Sequence, residues 1–190
     1  SQFTSQLGGS AANIAAGLAI QGNNVDLMSP ISNDAIGDFV INSCKKIGIN
    51  TLLLEKVSNL KNTLAIVDTM GDKTNAVLYR EKPADLFIDE TFLKKVNLDS
   101  YLMIIVTGTS LSRNPSRNNV LKLMELAIKR KIEIVLDIDY REGSWNDKKK
   151  AEKTLYSASL LSNIVVGNDL EFNFMSSDKN RGLSLASKLS

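Results

Sequence analysis

The chain has 190 residues, 43% of them hydrophobic and 23% charged, with a formal net charge of +2. That is enough apolar material for a substantial core, and so even a charge balance argues against nucleic acid or an anionic membrane as partner. The sequence contains no histidine, which excludes Ser-His-Asp, Cys-His and His-based zinc chemistry from these residues. Carboxylates, Lys, Arg, backbone amides or a hard cation remain for any catalysis.

The first predicted element lies in GGSAANIAAGLAIQG at 8–22. Two glycines lead into an Ala-rich helix ending near Gly22, with Asn13 in its first turns. Glycine is a poor helix former and Asn prefers caps and turns, so the pairing suggests a ligand lying against this turn. NVDLMSPI reads as a short strand. NDAIGDFVINSCKKIG follows as a helix, with Ile36, Phe39, Val40 and Ile47 near one face and Gly48 as its stop. The alternating runs TLAIVDT and TNAVLYRE flank MGDK and predict a β-hairpin over about 62–81, one face wet, beside the main body.

In the second half, YLMIIVTG predicts a buried strand; its apolar run at 102–106 is far too short to span a bilayer. NPSRNNVLKLMELAIKRK predicts a helix with Asn114 as N-cap and Pro115 at its first position. Val120, Met124, Ala127 and Ile128 follow its spacing. IEIVLDIDYR is a strand, NDKKKAEKTLYSASLLS a helix with a solvated lysine face, and NIVVGN another strand; a further helix is expected in the tail. Continuous apolar strands joined by helices predict a doubly wound, mainly parallel α/β sheet with helices on both faces, as one domain over 1–190. The opening SQFTSQLGG lacks the basic start and apolar stretch of a signal peptide, and Cys44 is the only cysteine, so the expected setting is reducing and cytoplasmic.

In open α/β sheets ligands bind beyond the carboxyl ends of the strands. The predicted strands end in VTGTS, in DIDYR with Asp137, Asp139 and Arg141, and in GNDLE with Asn168 and Glu171; the hairpin ends in Tyr79 and Arg80. A polar residue at any one strand end is more commonly a cap or a solvated side chain. Together, carboxylates offer hard ligands for magnesium, two arginines offer forked donors for an anion, and the glycine pair allows close approach to the backbone. Such a set suits phosphoryl transfer, where positioning and charge stabilisation dominate. The P-loop pattern and the dinucleotide-binding glycine fingerprint are both missing.

The order of these motifs resembles the ribokinase-like (PfkB) carbohydrate kinases. The resemblance implies that Gly8, Gly9 and Asn13 contact sugar hydroxyls and that the hairpin is the family's β lid. SNDAIGDF resembles the family's next block, with Ser32 where glycine is commoner. NDLE resembles its N-x-x-E element, implying that Asn168 and Glu171 organise Mg2+ and phosphate, mainly through water. GGSAANIA, LYREKPADL, TGTSLSRNPSR and DIDYREGSW resemble the branch of the family that acts on 5-dehydro-2-deoxygluconate in myo-inositol breakdown. The implied reaction is ATP-dependent phosphorylation of a primary hydroxyl on a keto-deoxy sugar acid. Arg80 and Arg141 would then serve substrate and transferred phosphate, Arg141 in a supporting catalytic role. Asp139, on the phosphate side, stands where Asn is common.

Kinases acting on 2-keto-3-deoxygluconate or fructose are the alternatives within the family. The resemblance also leads one to expect an earlier strand bearing a sugar-binding Asp and a later G-A-G-D segment carrying the general base. Neither occurs in the 190 residues, so a sugar-binding fragment without transfer is the alternative from another class. Lid strands pairing between subunits make a homodimer compatible with the sequence.

Overall fold

A computed structural model describes residues 3–70, 73–176 and 181–189. Packing divides the chain into two units, Ser1–Phe87 and Ile88–Ser190. The α/β class expected from alternating periodicities is found in both.

In the first unit, α1 (Ser10–Ile20) is followed by β1 (Ser29–Ser32), α2 (Ala35–Ile47) and β2 (Leu54–Val57). β1 and β2 pair in parallel. Ala12 and Ala15 of α1 form a core with Leu27, Ile31, Cys44, Ile49 and Leu54. The small side chains of α1 are those that let a helix approach closely. α1 ends as predicted, with Gly22 at a φ of 87° just beyond its C-cap. Asp34 caps α2 by accepting from the amides of Ile36 and Gly37, and Gly48 ends it in the left-handed conformation.

The predicted buried face of α2 needs one correction. Val40 and Ile47 pack against the core, but Ile36 is exposed. Gly37 takes the inward position, where a Cβ would fall 1.9 Å from the Ser32 carbonyl oxygen. The cap draws the first turn so close to β1 that only glycine fits.

β3 (Leu64–Met70) and β4 (Lys73–Tyr79) form the predicted hairpin, antiparallel, with Leu64 opposite Tyr79 and Ile66 opposite Val77. Its expected turn, Gly71 and Asp72, lies outside the described residues. One face carries Leu64, Ile66, Val77 and Tyr79, the other Val67 and Leu78, and all six are exposed. The expectation of a single wet face is therefore replaced by two bare apolar faces. Alternation in the sequence marks a strand but does not say that anything covers it.

The second unit runs α3 (Glu90–Leu93), β5 (Met103–Thr107), α4 (Ser116–Lys129), β6 (Glu133–Asp137), α5 (Lys148–Ser159), β7 (Ile164–Val166), α6 (Asp169–Met175) and α7 (Gly182–Leu189). β5, β6 and β7 form a parallel sheet with β6 central. Ile134, Leu136 and Ile138, on β6 and just after it, are fully buried, as are Met124 and Ala127 of α4 and Leu155 of α5. The strand over 101–108 is buried only toward its end: Leu102 and Met103 are exposed.

The helix over 114–131 is also shorter than its sequence implies. Asn114 is not its cap; Pro115 occupies that position, and no side chain caps α4. Val120, Met124 and Ala127 face inward with Leu123, whereas Ile128, in the last turn, is exposed. Asp147 caps α5 through the Lys150 amide, and Lys148, Lys149 and Lys150 are solvated as expected. No helix among the described residues is long and apolar enough to cross a membrane.

Candidate functional site

Gly9 precedes α1 with φ 99° and ψ 142°, a conformation that disfavours any side chain. Around both Gly8 and Gly9 an added Cβ would meet no atom within 4 Å. The glycine pair is thus required by the backbone at Gly9 and leaves open space on its outer side. Asn13 is exposed on the first turn, its amide donating to the Gly9 carbonyl at 2.9 Å. No side chain caps α1, so this end of the helix presents a backbone-lined, partly positive surface.

Arg80 follows directly on β4 and is engaged by its own unit. Its guanidinium donates to Asp85 Oδ2 at 2.7 Å and to Thr63 Oγ1 at 3.0 Å. Asp85, in a short 3-10 turn over Ala84–Leu86, therefore holds the orientation of Arg80. Sequence reasoning missed Asp85 as its partner. The available signal was the five-residue spacing in REKPAD, where the turn at Pro83 brings the carboxylate back.

In the second unit the strand-end residues do come together. Asp139 follows β6 with a φ of 32° and is 94% buried on its side chain, which is 6% exposed. Its carboxylate accepts from Arg141 at 2.9 Å and from the Thr109 hydroxyl at 3.3 Å. The Arg141 side chain is 70% exposed, so the rest of its fork faces solvent. Thr109 lies within 3.3 Å of Thr107 through their hydroxyls, linking the end of β5 to the loop after β6.

Asn168 and Glu171 form a capping box at the start of α6: Asn168 accepts from the Glu171 amide, and Glu171 Oε2 accepts from the Asn168 amide at 2.9 Å. Glu171 Oε1 accepts from the Tyr140 amide at 3.0 Å. Both oxygens of Glu171 thus brace α6 against the DIDYR loop. Tyr140 adds a ring stack on Phe174, with centroids 3.8 Å apart.

Two glycines permit this gathering. A Cβ on Gly108 would lie 2.0 Å from the Ile138 carbonyl oxygen, and one on Gly167 would lie 2.5 Å from Ile138 Cδ1. Both were visible in VTGTS and VGNDLE, but their packing role needs coordinates.

The cluster is electrostatically loaded. Burial pushes the Asp137 carboxyl above its ordinary range, and the charges of Asp139 and Glu171 push it further, against Arg141 and the Asp139 amide. Three carboxylates with one exposed guanidinium favour an added cation. Among the described residues, no group of three or more His, Cys, Asp or Glu side chains is arranged to hold a metal ion directly. With the Glu171 oxygens already on backbone amides, the donor set fits a hydrated magnesium ion rather than a naked one.

Residues 1–189 match the family described as pfkB family carbohydrate kinase. The chain belongs to the PfkB family. Its curated relatives within the family include the 5-dehydro-2-deoxygluconokinase of Clostridium tetani, 35% identical over 91% of this chain. Another is the protein of that name from Mesomycoplasma hyopneumoniae, 34% identical over 93% of this chain. The chain spans about half the length of these relatives, 52% in each case. Among solved structures, fructokinase from Xylella fastidiosa aligns with a TM-score of 0.84 at 20% identity, covering 95% of this chain and 57% of that one. An uncharacterized sugar kinase from Pyrococcus horikoshii, solved in complex with ATP, aligns with a TM-score of 0.79 at 25% identity. It covers 90% of this chain and 56% of the Pyrococcus chain. The PfkB assignment gives the fold as ribokinase-like.

Proposed function

We propose that the protein of which these residues form part is an ATP-dependent sugar kinase that phosphorylates a primary hydroxyl of a keto-deoxy sugar acid, with 5-dehydro-2-deoxygluconate as the substrate. The observation that carries this reading is the identity of about one residue in three with kinases of that name over nine-tenths of the chain. Both units are read as parts of one ribokinase-like domain. Gly8, Gly9 and Asn13 are assigned to the sugar hydroxyls. Arg80, held by Asp85 and Thr63, is assigned to the acid end, and Arg141 to the transferred phosphate. Asp139 fixes Arg141 and the turn that carries it.

Asn168 and Glu171 would hold Mg2+ through water; the bound ion supplies positive charge to the phosphates. The chain's own work is orientation: a guanidinium anchored by one carboxylate costs less to order around an anion than a free arginine. Transfer of the terminal phosphate needs an acceptor for the hydroxyl proton, and none of the 190 residues is assigned that role. The exposed faces of β3 and β4 favour a second copy of the chain as their cover, giving a homodimer through the hairpin. The protein is placed in the cytoplasm on this reading.

The test is ADP release by the full-length protein over a panel of 5-dehydro-2-deoxygluconate, 2-keto-3-deoxygluconate and fructose. The first should give the highest kcat/KM. A clear preference for either of the others reassigns the substrate. Sugar-acid binding without ADP release would leave a binding module instead of a kinase.

A further inference from the structure

Apart from the strand-end cluster, the second unit contains a cavity of about 320 Å3 where the loop after β5 meets the N-terminal turns of α4 and α5. Its lining includes Ser112, Arg113, Arg117, Trp145, Asp147 and Lys150. Three cations thus face one carboxylate, and Asp147 already accepts from the Lys150 amide at 3.1 Å. Arg117 is only 9% exposed. Its Nε donates to the Leu111 carbonyl at 2.8 Å, another of its nitrogens donates to the Ser112 carbonyl, and its Cζ lies 5.4 Å from the Trp145 ring centroid. Among the described residues no acidic side chain pairs with it.

A buried guanidinium without a counter-charge is expensive, and the cost falls when an anion enters. Two polar atoms of the lining residues, Ser112 Oγ and Trp145 Nε1, are buried and have no hydrogen-bond partner among the described residues. Ser112 is 1% and Trp145 8% exposed. Buried hydroxyl and indole donors normally find partners.

We propose that this cavity is a binding site for a phosphate monoester, with the dianion taken by Arg113, Arg117 and Lys150. The ester is favoured over bare phosphate because 320 Å3 is at the lower end of ordinary small-ligand pockets and well above what one tetrahedral anion needs.

Trp145 lines this cavity and is the only tryptophan among the 190 residues, so its fluorescence is the optical probe of the site. The full-length protein is titrated with glucose 6-phosphate, inorganic phosphate and glucose, at ionic strength held constant with chloride, by tryptophan fluorescence and by calorimetry. Glucose 6-phosphate should give a saturable response at lower concentration than inorganic phosphate, and glucose none. Arg117 is too buried to be a safe variant, so the exposed Lys150→Gln and Arg113→Gln are used; each should weaken glucose 6-phosphate about tenfold or more, as loss of a charge-assisted hydrogen bond does. Neither heat nor fluorescence change with either phosphate overturns the proposal, as does an unaltered affinity in both variants. Tighter binding of inorganic phosphate than of the ester overturns the monoester assignment. Loss of the response in Asn168→Ala would move the anion to α6 and overturn the site.

Discussion

Replacing Gly108 by Ala tests how the strand-end cluster is held together. The new Cβ would lie 2.0 Å from the Ile138 carbonyl oxygen, 2.8 Å from Leu155 Cδ2 and 3.0 Å from the Ile138 carbonyl carbon. The first is about 1 Å inside any tolerable contact, and the obstructing atom is backbone. Ile138 cannot step aside cheaply, because its own amide donates to the Val166 carbonyl at 2.8 Å. Overpacking of this kind commonly costs about 1–3 kcal/mol, and a blocked backbone with a ladder bond at stake puts Gly108→Ala at about 3–5 kcal/mol. Gly167→Ala meets mainly the flexible end of the Ile138 side chain, at 2.5 Å, and should cost about 1–2 kcal/mol. Gly143→Ala meets nothing within 4 Å and should change stability by about 0.5 kcal/mol or less. Urea unfolding followed by Trp145 fluorescence reads the second unit in all three. A Gly108→Ala midpoint equal to that of Gly143→Ala would refute the packing argument; so would a larger loss in Gly167→Ala.

Asp34 is held down to a pKa of about 2, chiefly by the Ser32 hydroxyl, with the Gly37 and Ile36 amides and Lys61 adding to this against burial. Its folded value lies below the ordinary carboxyl value of 3.8, so its stabilisation is complete above about pH 4 and is lost as pH falls toward 2. Asp34→Ala should cost about 1 kcal/mol at pH 7 and flatten that acid limb in circular dichroism. Asp137 has the opposite sign: its carboxyl is raised, so stability falls as pH rises through its folded value. Asp139→Asn removes a neighbouring charge and should bring the Asp137 titration down toward the ordinary carboxylate range, read by carbonyl carbon NMR; an unmoved titration contradicts the assigned cause. Arg80→Ala in the full-length protein should weaken sugar-acid binding about ten- to hundredfold, and Asp85→Asn less, by loosening Arg80. Equal affinities in a calorimetric titration would remove Arg80 from the substrate.

The periodic elements were legible because burial of a helix face or a strand writes itself into spacing. α1, the hairpin strands and β6 stand where the pattern puts them. Ile36, Ile128 and Leu102 were misread because their pattern continues past the point where the neighbouring element stops covering them. Asn114 was misread because a cap depends on dihedral angles, and Pro115 already adopts helical values at a φ of −79° and ψ of −16°. At the site, Asp139, Arg141, Asn168 and Glu171 could be named from strand ends. What Glu171 bonds to could not, since its two partners are backbone amides of Tyr140 and Asn168, which carry no residue-type signal. Thr63 and the pinch of Gly108 and Gly167 on Ile138 were hidden because each depends on distances between segments remote in sequence, whereas Asp85 was signalled only by its five-residue spacing from Arg80 across Pro83.

The bare hairpin has a consequence for Arg80. A lone two-stranded ribbon is marginal in water, so its cross-strand ladder contributes little rigidity to whatever is attached at its base. Arg80 borrows none from it: Thr63 and Asp85 both lie outside β3 and β4. The grip on an acid group and the fraying of the ribbon are thereby mechanically uncoupled, and the arm can melt, swap or be trimmed back while the guanidinium keeps its aim.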